Sequence, residues 1–249
     1  MRVIAVVNTK GGSGKSTIAW HILPAIFENS RVLEIDNNNK TVEVLFNSDI
    51  ARKSKTITIK ESEEALGEIL FEMLSGKDET VIIDAGGGDD TKAVIEKIKE
   101  LEFDQIDFII PLMGGMAQKK NAEDTYDLVK DRGRVFFFLN KFNQQEFAFW
   151  YGDSELGIVP SVFAAFKEVV KVPYSPLFEI STLKGETIAD LAKHYDGLSA
   201  KEAREQIFEA TGGDKELFLK QLNIYKQAKK AREILALVKG QFERILYDR

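Results

Sequence analysis

The sequence predicts an α/β protein: a mostly parallel sheet with helices on both faces, continued at the C-terminus by a helical extension. Three observations carry this. Short apolar runs rich in β-branched residues recur along the first 176 residues with amphipathic segments between them, the order of parallel strands joined by crossover helices. Several of these runs end in an Asp, an Asn or a glycine turn, and the carboxyl ends of such strands are where open α/β sheets hold ligands. From Asp196 onward the strand-like runs stop and helical spacing takes over. With 249 residues and 44 % hydrophobic content, the chain can bury one large core. The expected division is 1–195 for the sheet domain and 196–249 for an extension packed on it.

The first run, Val3-Ile4-Ala5-Val6-Val7, reads as a strand buried on both faces, and residues 18–27 have helical spacing. Between them lies Asn8-Thr9-Lys10-Gly11-Gly12-Ser13-Gly14-Lys15-Ser16-Thr17, which fits the phosphate-loop pattern G-x-x-x-x-G-K-[ST] apart from its start. Strand, glycine loop and helix in that order are the context the pattern requires, and they specify a P-loop NTPase type of fold. The glycines let successive N–H groups turn inward, and the helix start adds partial positive charge toward an anion. Gly11 to Thr17 would cradle phosphates, Lys15 would reach the outer ones, and the Ser16 hydroxyl would ligate magnesium.

The run Lys10-Gly11-Gly12-Ser13-Gly14-Lys15-Ser16-Thr17 resembles the deviant Walker A motif, KGGxGK[ST]T, of the ParA/MinD-type partition ATPases. The resemblance implies ATP and Mg2+ as cofactors and a homodimer in the ATP state, with Lys10 reaching across to the partner's nucleotide. It also implies nonspecific DNA binding, a stimulating ParB-like partner protein and a role in plasmid or chromosome partition. A solvated lysine at the loop mouth is the plainer reading of Lys10.

The second strand, Arg31-Val32-Leu33-Glu34-Ile35-Asp36, ends in a carboxylate followed by Asn37-Asn38-Asn39. In the family this strand ends in D-x-D-P-Q, whose aspartates sit near magnesium and the attacking water. Asp36 keeps the first position, Asn38 replaces the second, and Asn39-Lys40 replaces Pro-Gln. An amide can hold a water but cannot take its proton, so slower hydrolysis is expected. Asp36 as an ordinary turn residue is the alternative.

Residues 53–60 alternate polar and apolar side chains like an edge strand guarded by lysines. Residues 61–74 form an amphipathic helix. Thr80-Val81-Ile82-Ile83-Asp84 followed by Gly86-Gly87-Gly88 looks like a Walker B strand and a switch turn, with Asp84 holding magnesium through its water shell. The family usually has a proline here, so a more mobile turn is expected. A helix over 91–101, a strand over 108–112 and a helix over 117–129 follow.

Val135-Phe136-Phe137-Phe138-Leu139 is a fifth buried strand and ends in Asn140. The resemblance makes Asn140 a reader of the adenine base and Pro173, in the late 170–176 strand, part of the loop around it. The intervening stretch carries Phe147, Phe149, Trp150, Tyr151, Phe163 and Phe166, read as packing of a crossover helix, with an interface as the alternative. Residues 180–194 close the sheet domain, and the resemblance implies a final helix there with the entry segment Leu183-Lys184-Gly185-Glu186-Thr187. His21 and His194 lie far apart in predicted helices and are read as packing or surface residues.

Ser199 and Glu202 form a capping box that starts a helix to about residue 210, and a long helix runs from 215 to about 247. Residues 215–249 hold nine Lys or Arg against four Asp or Glu, a net +5, within a chain of −6 overall, so residues 1–214 carry −11. A solvated outer face, contact with the DNA backbone and an amphipathic membrane anchor stand as readings of this helix, and membrane binding ranks last because a bulky apolar stripe is lacking. A nucleotide-switched adaptor with little hydrolysis and a MinD-like positioning ATPase remain as alternatives to partition. No cysteine is present, which excludes disulfides and thiolate metal sites. No run of about eighteen apolar residues occurs and the chain opens directly on its first strand, so a cytoplasmic protein without a signal peptide is expected.

Overall fold

The computed structural model describes the chain except residues 104, 114–115, 143–149, 151, 153–168 and 248–249. Seven strands form one sheet in the order β3-β2-β4-β1-β5-β6-β7, and every described pairing is parallel. They are β1 Arg2–Val6, β2 Ser30–Ile35, β3 Lys55–Ile57, β4 Thr80–Ala85, β5 Ile106–Leu112, β6 Arg134–Phe142 and β7 Val170–Pro173. Because β1 sits between β4 and β5 while the chain leaves it for β2, the sheet reverses its winding beside β1. A ligand crevice belongs at that point.

Side-chain alternation divides the sheet into two cores. Val3, Ala5, Leu33, Val81 and Ile83 face one side, against α4 (Ser62–Leu74), α5 (Asp89–Glu100) and α6 (Met116–Val129). Ile4, Val6, Val32 and Ile82 face the other, against the first helix and the long C-terminal helix. Period-two alternation with both faces covered explains why these strands read as unbroken apolar runs.

The first helix departs from the regular form expected over 18–27. Residues Thr17–Ile22 are π-helical and only Leu23–Ile26, here α1, is α-helical. Pro24 lies in the first turn of α1. Its ring has no N–H for the preceding turn and crowds the carbonyl four residues back, so the helix widens just upstream. Two short helices, α2 (Thr41–Val44) and α3 (Asp49–Arg52), fill the segment before β3. The edge strand is shorter than the 53–60 alternation suggested. It stops at Ile57, because Thr58 and Glu61 make a reciprocal capping box that turns the chain into a 3-10 segment, Ile59–Glu61.

Before His194 the chain forms two helices, α7 (Leu177–Leu183) and α8 (Ile188–Lys193), and the break between them falls in the 183–187 entry segment. Gly185 has φ +74° and Thr187 caps α8 with Asp190 at the third position, so one signal stops the first helix and another starts the second. His21 is the bolt between these elements and the first helix. Its Nδ1 accepts from the Ile188 N–H at 3.1 Å and its Nε2 lies 3.3 Å from Thr182 Oγ1. Burial pushes it down to about 4, against a smaller opposing pull from Asp190, so it is a neutral packing residue, as read from sequence. His194 is about half-exposed, 3.9 Å from Glu186.

Helix α9 (Ala200–Ala210) carries the Ser199–Glu202 capping box, and α10 runs Lys215–Tyr247. Val238, Phe242, Ile245 and Leu246 of α10 belong to the same core cluster as β1, β2 and β4. The Phe242 ring meets Phe136 and Phe138 edge-on at 5.2 Å each and Phe27 at 6.2 Å. Truncating such a ring removes its burial and leaves a cavity. Phe242→Ala is therefore expected to lower the urea-unfolding free energy by about 3–5 kcal/mol; a loss under 1 kcal/mol would mean that α10 adds little to the fold. Of the aromatic crossover stretch, Trp150 is described and fully buried in the core on the opposite face; Phe147, Phe149, Tyr151, Phe163 and Phe166 lie outside the described residues. Among the described residues no helix is long and apolar enough to cross a membrane.

Candidate functional site

The loop after β1 is fixed at its entrance by Asn8. Its Nδ2 donates to the Pro111 carbonyl at 2.9 Å and its Oδ1 accepts from the Lys10 N–H at 2.9 Å, so the loop hangs from β5. The Thr9 N–H donates to Thr125 Oγ1 on α6 at 3.1 Å. Gly12 and Gly14 have φ +74° and +92°, conformations that only glycine adopts without strain. Lys15 is buried and folds over the loop, its ammonium donating to the carbonyls of Asn8 at 3.1 Å and Lys10 at 3.2 Å. Burial lowers its proton affinity, and Asp84 and Asp36 work in the opposite direction. Lys10, Gly11, Gly12 and Ser16 are exposed, Thr17 is half-buried, and Ser13 is buried with a hydroxyl that has no partner among the described residues.

Asp84 and Asp36 lie beside this loop, and Glu34, which the sequence did not single out, stands next to Asp84 on the neighbouring strand. Asp84, on β4, is in register with Val6 of β1 and Glu34 of β2, so all three project from the same face. Its Oδ2 accepts from Trp20 Nε1 at 3.0 Å, and the Ser16 hydroxyl is near enough to favour its charged form. Its Oδ1 is buried with no hydrogen-bond partner among the described residues. Burial, and then the neighbouring Glu34, push the carboxyl up to about 7, against the pull of Ser16, Lys15 and Trp20. Glu34 is itself buried, accepting from the Thr41 N–H at 2.8 Å, from Thr56 Oγ1 at 2.5 Å and from the Thr41 hydroxyl. A Glu sharing the parity of Val32 inside an apolar strand was the signal that could have found it.

Asp36 is engaged in the turn that follows it. Its Oδ1 accepts from the backbone N–H of Asn38 at 2.7 Å and of Asn39 at 3.0 Å, and its Oδ2 from the Asn39 side chain at 2.8 Å. Asn38 is exposed. The three glycines after Asp84 serve close approach. A Cβ at Gly86 would come within 2.8 Å of the Asp90 carboxylate and 3.1 Å of Asp36, and one at Gly87 within 3.2 Å of Gly11. Gly88, at φ +64°, donates its N–H to the Thr9 carbonyl at 2.9 Å. The turn expected to be loose is thus packed on the mouth of the phosphate loop.

The other two sequence candidates lie farther along the sheet. Asn140, expected to end its strand, lies two residues before the end of β6; it is buried, and its amide rests on Gly14, where a Cβ would stand 1.7 Å from Asn140 Nδ2. Pro173 is half-buried at the end of β7, paired in register with Phe142, three strands from β1. The structure therefore gathers Lys10 to Thr17, Asp36, Asp84 and Asn140 at the carboxyl end of the sheet and leaves Pro173 at its rim.

The arrangement fits a phosphate-bound magnesium ion. Asp84 supplies an unpartnered buried oxygen beside the Ser16 hydroxyl, and no group of three or more His, Cys, Asp or Glu side chains forms a cage among the described residues. Magnesium takes few protein ligands and completes its shell with phosphate and water oxygens. Loop, lysine, carboxylate and an all-parallel sheet define a P-loop nucleotide-binding protein. The family comparison agrees. Residues 4–235 match the model of the CobQ/CobB/MinD/ParA nucleotide binding domain, and the chain belongs to that family. The match continues past residue 195 into α10. Among solved structures, the MinD cell division protein of Aquifex aeolicus is similar at 16 % identity and a TM-score of 0.54, covering 81 % of this chain and 93 % of its own. The MinC:MinD complex of the same organism gives 17 % identity and 0.52, covering 78 % and 89 %. These likenesses show the fold. No curated protein matches the sequence.

Proposed function

We propose that this chain is a Mg2+-dependent, dimerising ATPase of the ParA type, acting in partition of a plasmid or chromosome through nonspecific DNA binding and slow hydrolysis stimulated by a partner protein. The observation that carries the reading is the pairing of a buried Lys15 with an exposed Lys10 in one glycine loop, next to the Ser16–Asp84 pair. Lys15, Gly11 to Thr17 and the helix start would bind the phosphates; Ser16 and Asp84, with Asp36 nearby, would hold magnesium. Lys10 would stabilise phosphoryl charge across a homodimer, and Asn140 and Pro173 would border the base.

The C-terminal helix supports the DNA part. At about 100° per residue, the exposed Lys215, Lys226, Lys229, Lys230 and Arg244 fall opposite the buried stripe of Ala231, Val238 and Phe242. Such a stripe neutralises phosphates without reading bases. The same geometry turns the helix's main apolar stripe inward, which counts against membrane insertion. In this reading residues 196–249 are an extension of the 1–195 domain that carries its DNA contact.

One observation favours a second reading, a nucleotide-switched adaptor with little turnover. Asn38 is a neutral amide, and Asp36 already accepts three hydrogen bonds within its own turn. Neither is free to act as a general base.

The test is binding to random-sequence duplex DNA with ATP–Mg2+, with ADP–Mg2+ and without nucleotide, at two salt concentrations, alongside ATP turnover. Binding confined to ATP and weakened by salt is expected, and Lys10→Ala should lose both the ATP-dependent dimer and the DNA contact. Equal or absent DNA binding in every state would overturn the partition reading. Tight ATP binding without turnover would select the adaptor, and ATP-dependent sedimentation with anionic vesicles the membrane-positioning alternative.

A further inference from the structure

We propose that Trp20 is a positioning residue for the Asp84 carboxylate, holding one of its oxygens so that the other is presented to magnesium. The proposal rests on the reading of Asp84 and Ser16 as the magnesium pair. Trp20 follows Ser16 by four residues in the helix that opens at the phosphate loop, a spacing that puts both side chains on one helical face. The Trp20 indole N–H donates to Asp84 Oδ2 at 3.0 Å, while Oδ1 is buried with no hydrogen-bond partner among the described residues.

The chemistry of the indole suits this task. It donates and cannot accept, so it neither ligates a cation nor draws one away from the carboxylate. It is fully buried in the core cluster on that face of the sheet, among Ile4, Val6 and Ile18, so the ring and its N–H have one available orientation. Glu34 makes such a restraint necessary. It sits across from Asp84 in register, and its own oxygens are held by the Thr41 N–H, the Thr41 hydroxyl and the Thr56 hydroxyl. Two buried carboxylates side by side repel, and the Trp20 N–H draws one oxygen of Asp84 to the helix side. Hydrogen-bond partners of metal-binding carboxylates orient the ligand and tune its affinity in this way.

A buried indole that merely satisfies its N–H is the competing account. The two separate in a comparison of Trp20→Phe with the parent, measuring nucleotide binding with Mg2+ and with EDTA and titrating Mg2+ at fixed nucleotide. Phenylalanine keeps most of the packing and removes the donor. The Mg2+ midpoint is expected to rise about tenfold while affinity in EDTA is unchanged. An unchanged midpoint, or equal losses with and without Mg2+, would overturn the proposal. If the parent itself gains no affinity from Mg2+, the magnesium reading of Asp84 fails first.

Should Trp20→Phe not fold, the parent supplies a second readout. Its two indole N–H resonances, assigned with Trp150→Phe, are followed by 15N NMR in the nucleotide complex as Mg2+ is added. The Trp20 resonance is expected to shift while that of Trp150, in the opposite core, stays in place. A Trp20 resonance insensitive to Mg2+ would sink the idea.

Discussion

Asp84→Asn is expected to be more stable than the parent at pH 8 without nucleotide, by a few kcal/mol, and to gain no nucleotide affinity from Mg2+. The cause is the placement of Asp84. Burial, with Glu34 alongside, holds its carboxyl at about 7 in the folded chain against an ordinary 3.8. The folded state therefore binds the proton more tightly than the unfolded state does, and the group's contribution to stability is present below pH 3.8 and lost as pH rises through about 7. Each pH unit in that window costs about 1.4 kcal/mol, an upper bound that relaxation and water entry reduce. His21 has the opposite sign. Burial lowers it from 6.5 to about 4, so its contribution is present above 6.5 and lost as pH falls through about 4. Between pH 4 and 6.5 the two slopes oppose each other in the parent. In Asp84→Asn the opposing Asp84 slope is gone, so stability should climb more steeply from pH 4 to 6.5 than in the parent and should not fall as Asp84 would ionise near pH 7. Urea unfolding of both proteins at pH 4, 5.5 and 8 checks this, and identical pH profiles would refute it. A divalent cation beside Asp84 would offset the cost that burial imposes on its charged form.

The parts of this site that the sequence revealed are those where a local rule and a global demand coincide. The run Val3 to Val7 is legible because a parallel strand covered on both faces has no reason to alternate, and the loop after it because glycines at positive φ are irreplaceable there. Asp84 was readable as the first polar residue after an apolar strand. Glu34 was not, since a carboxylate inside such a strand contradicts the pattern, and it is made tolerable by the Thr41 N–H and the hydroxyls of Thr41 and Thr56, residues that no pattern within the strand reveals. Trp20 lay in plain view four residues after Ser16, but its partner comes from β4, and no local pattern connects them. The helix boundaries divide in the same way. Ser199 and Glu202 announce α9 through one capping box, and Thr187 with Asp190 announces α8 through another. In the glycine turn 86–88 the absence of side chains suggested mobility, whereas the neighbours of Gly86 and Gly87 show that it is the condition for contact with Asp90, Asp36 and Gly11.

Gly14→Ala is expected to reduce nucleotide affinity more than 100-fold, on the order of 3 kcal/mol, and to destabilise the empty protein by about 2–4 kcal/mol. Two separate causes act at one atom. The backbone at Gly14 has φ +92°, a conformation that costs an L-residue about 1–2 kcal/mol. The added Cβ would also stand 1.7 Å from Nδ2 and 2.8 Å from Cγ of Asn140, whose side chain is buried and has little room to withdraw. The causes can be separated with Asn140→Ala. In the double variant the collision is gone and the backbone strain remains, so about half of the lost stability should return while affinity stays low. The coupling between the two positions, read from the four proteins of the cycle, should be about 1–2 kcal/mol in favour of the double variant. Zero coupling would mean that the Asn140 amide does not rest on Gly14. Asn140→Ala alone reports on the base. If Asn140 reads adenine, this variant loses discrimination between ATP and GTP; if the amide only buttresses the loop, affinity for both nucleotides falls together.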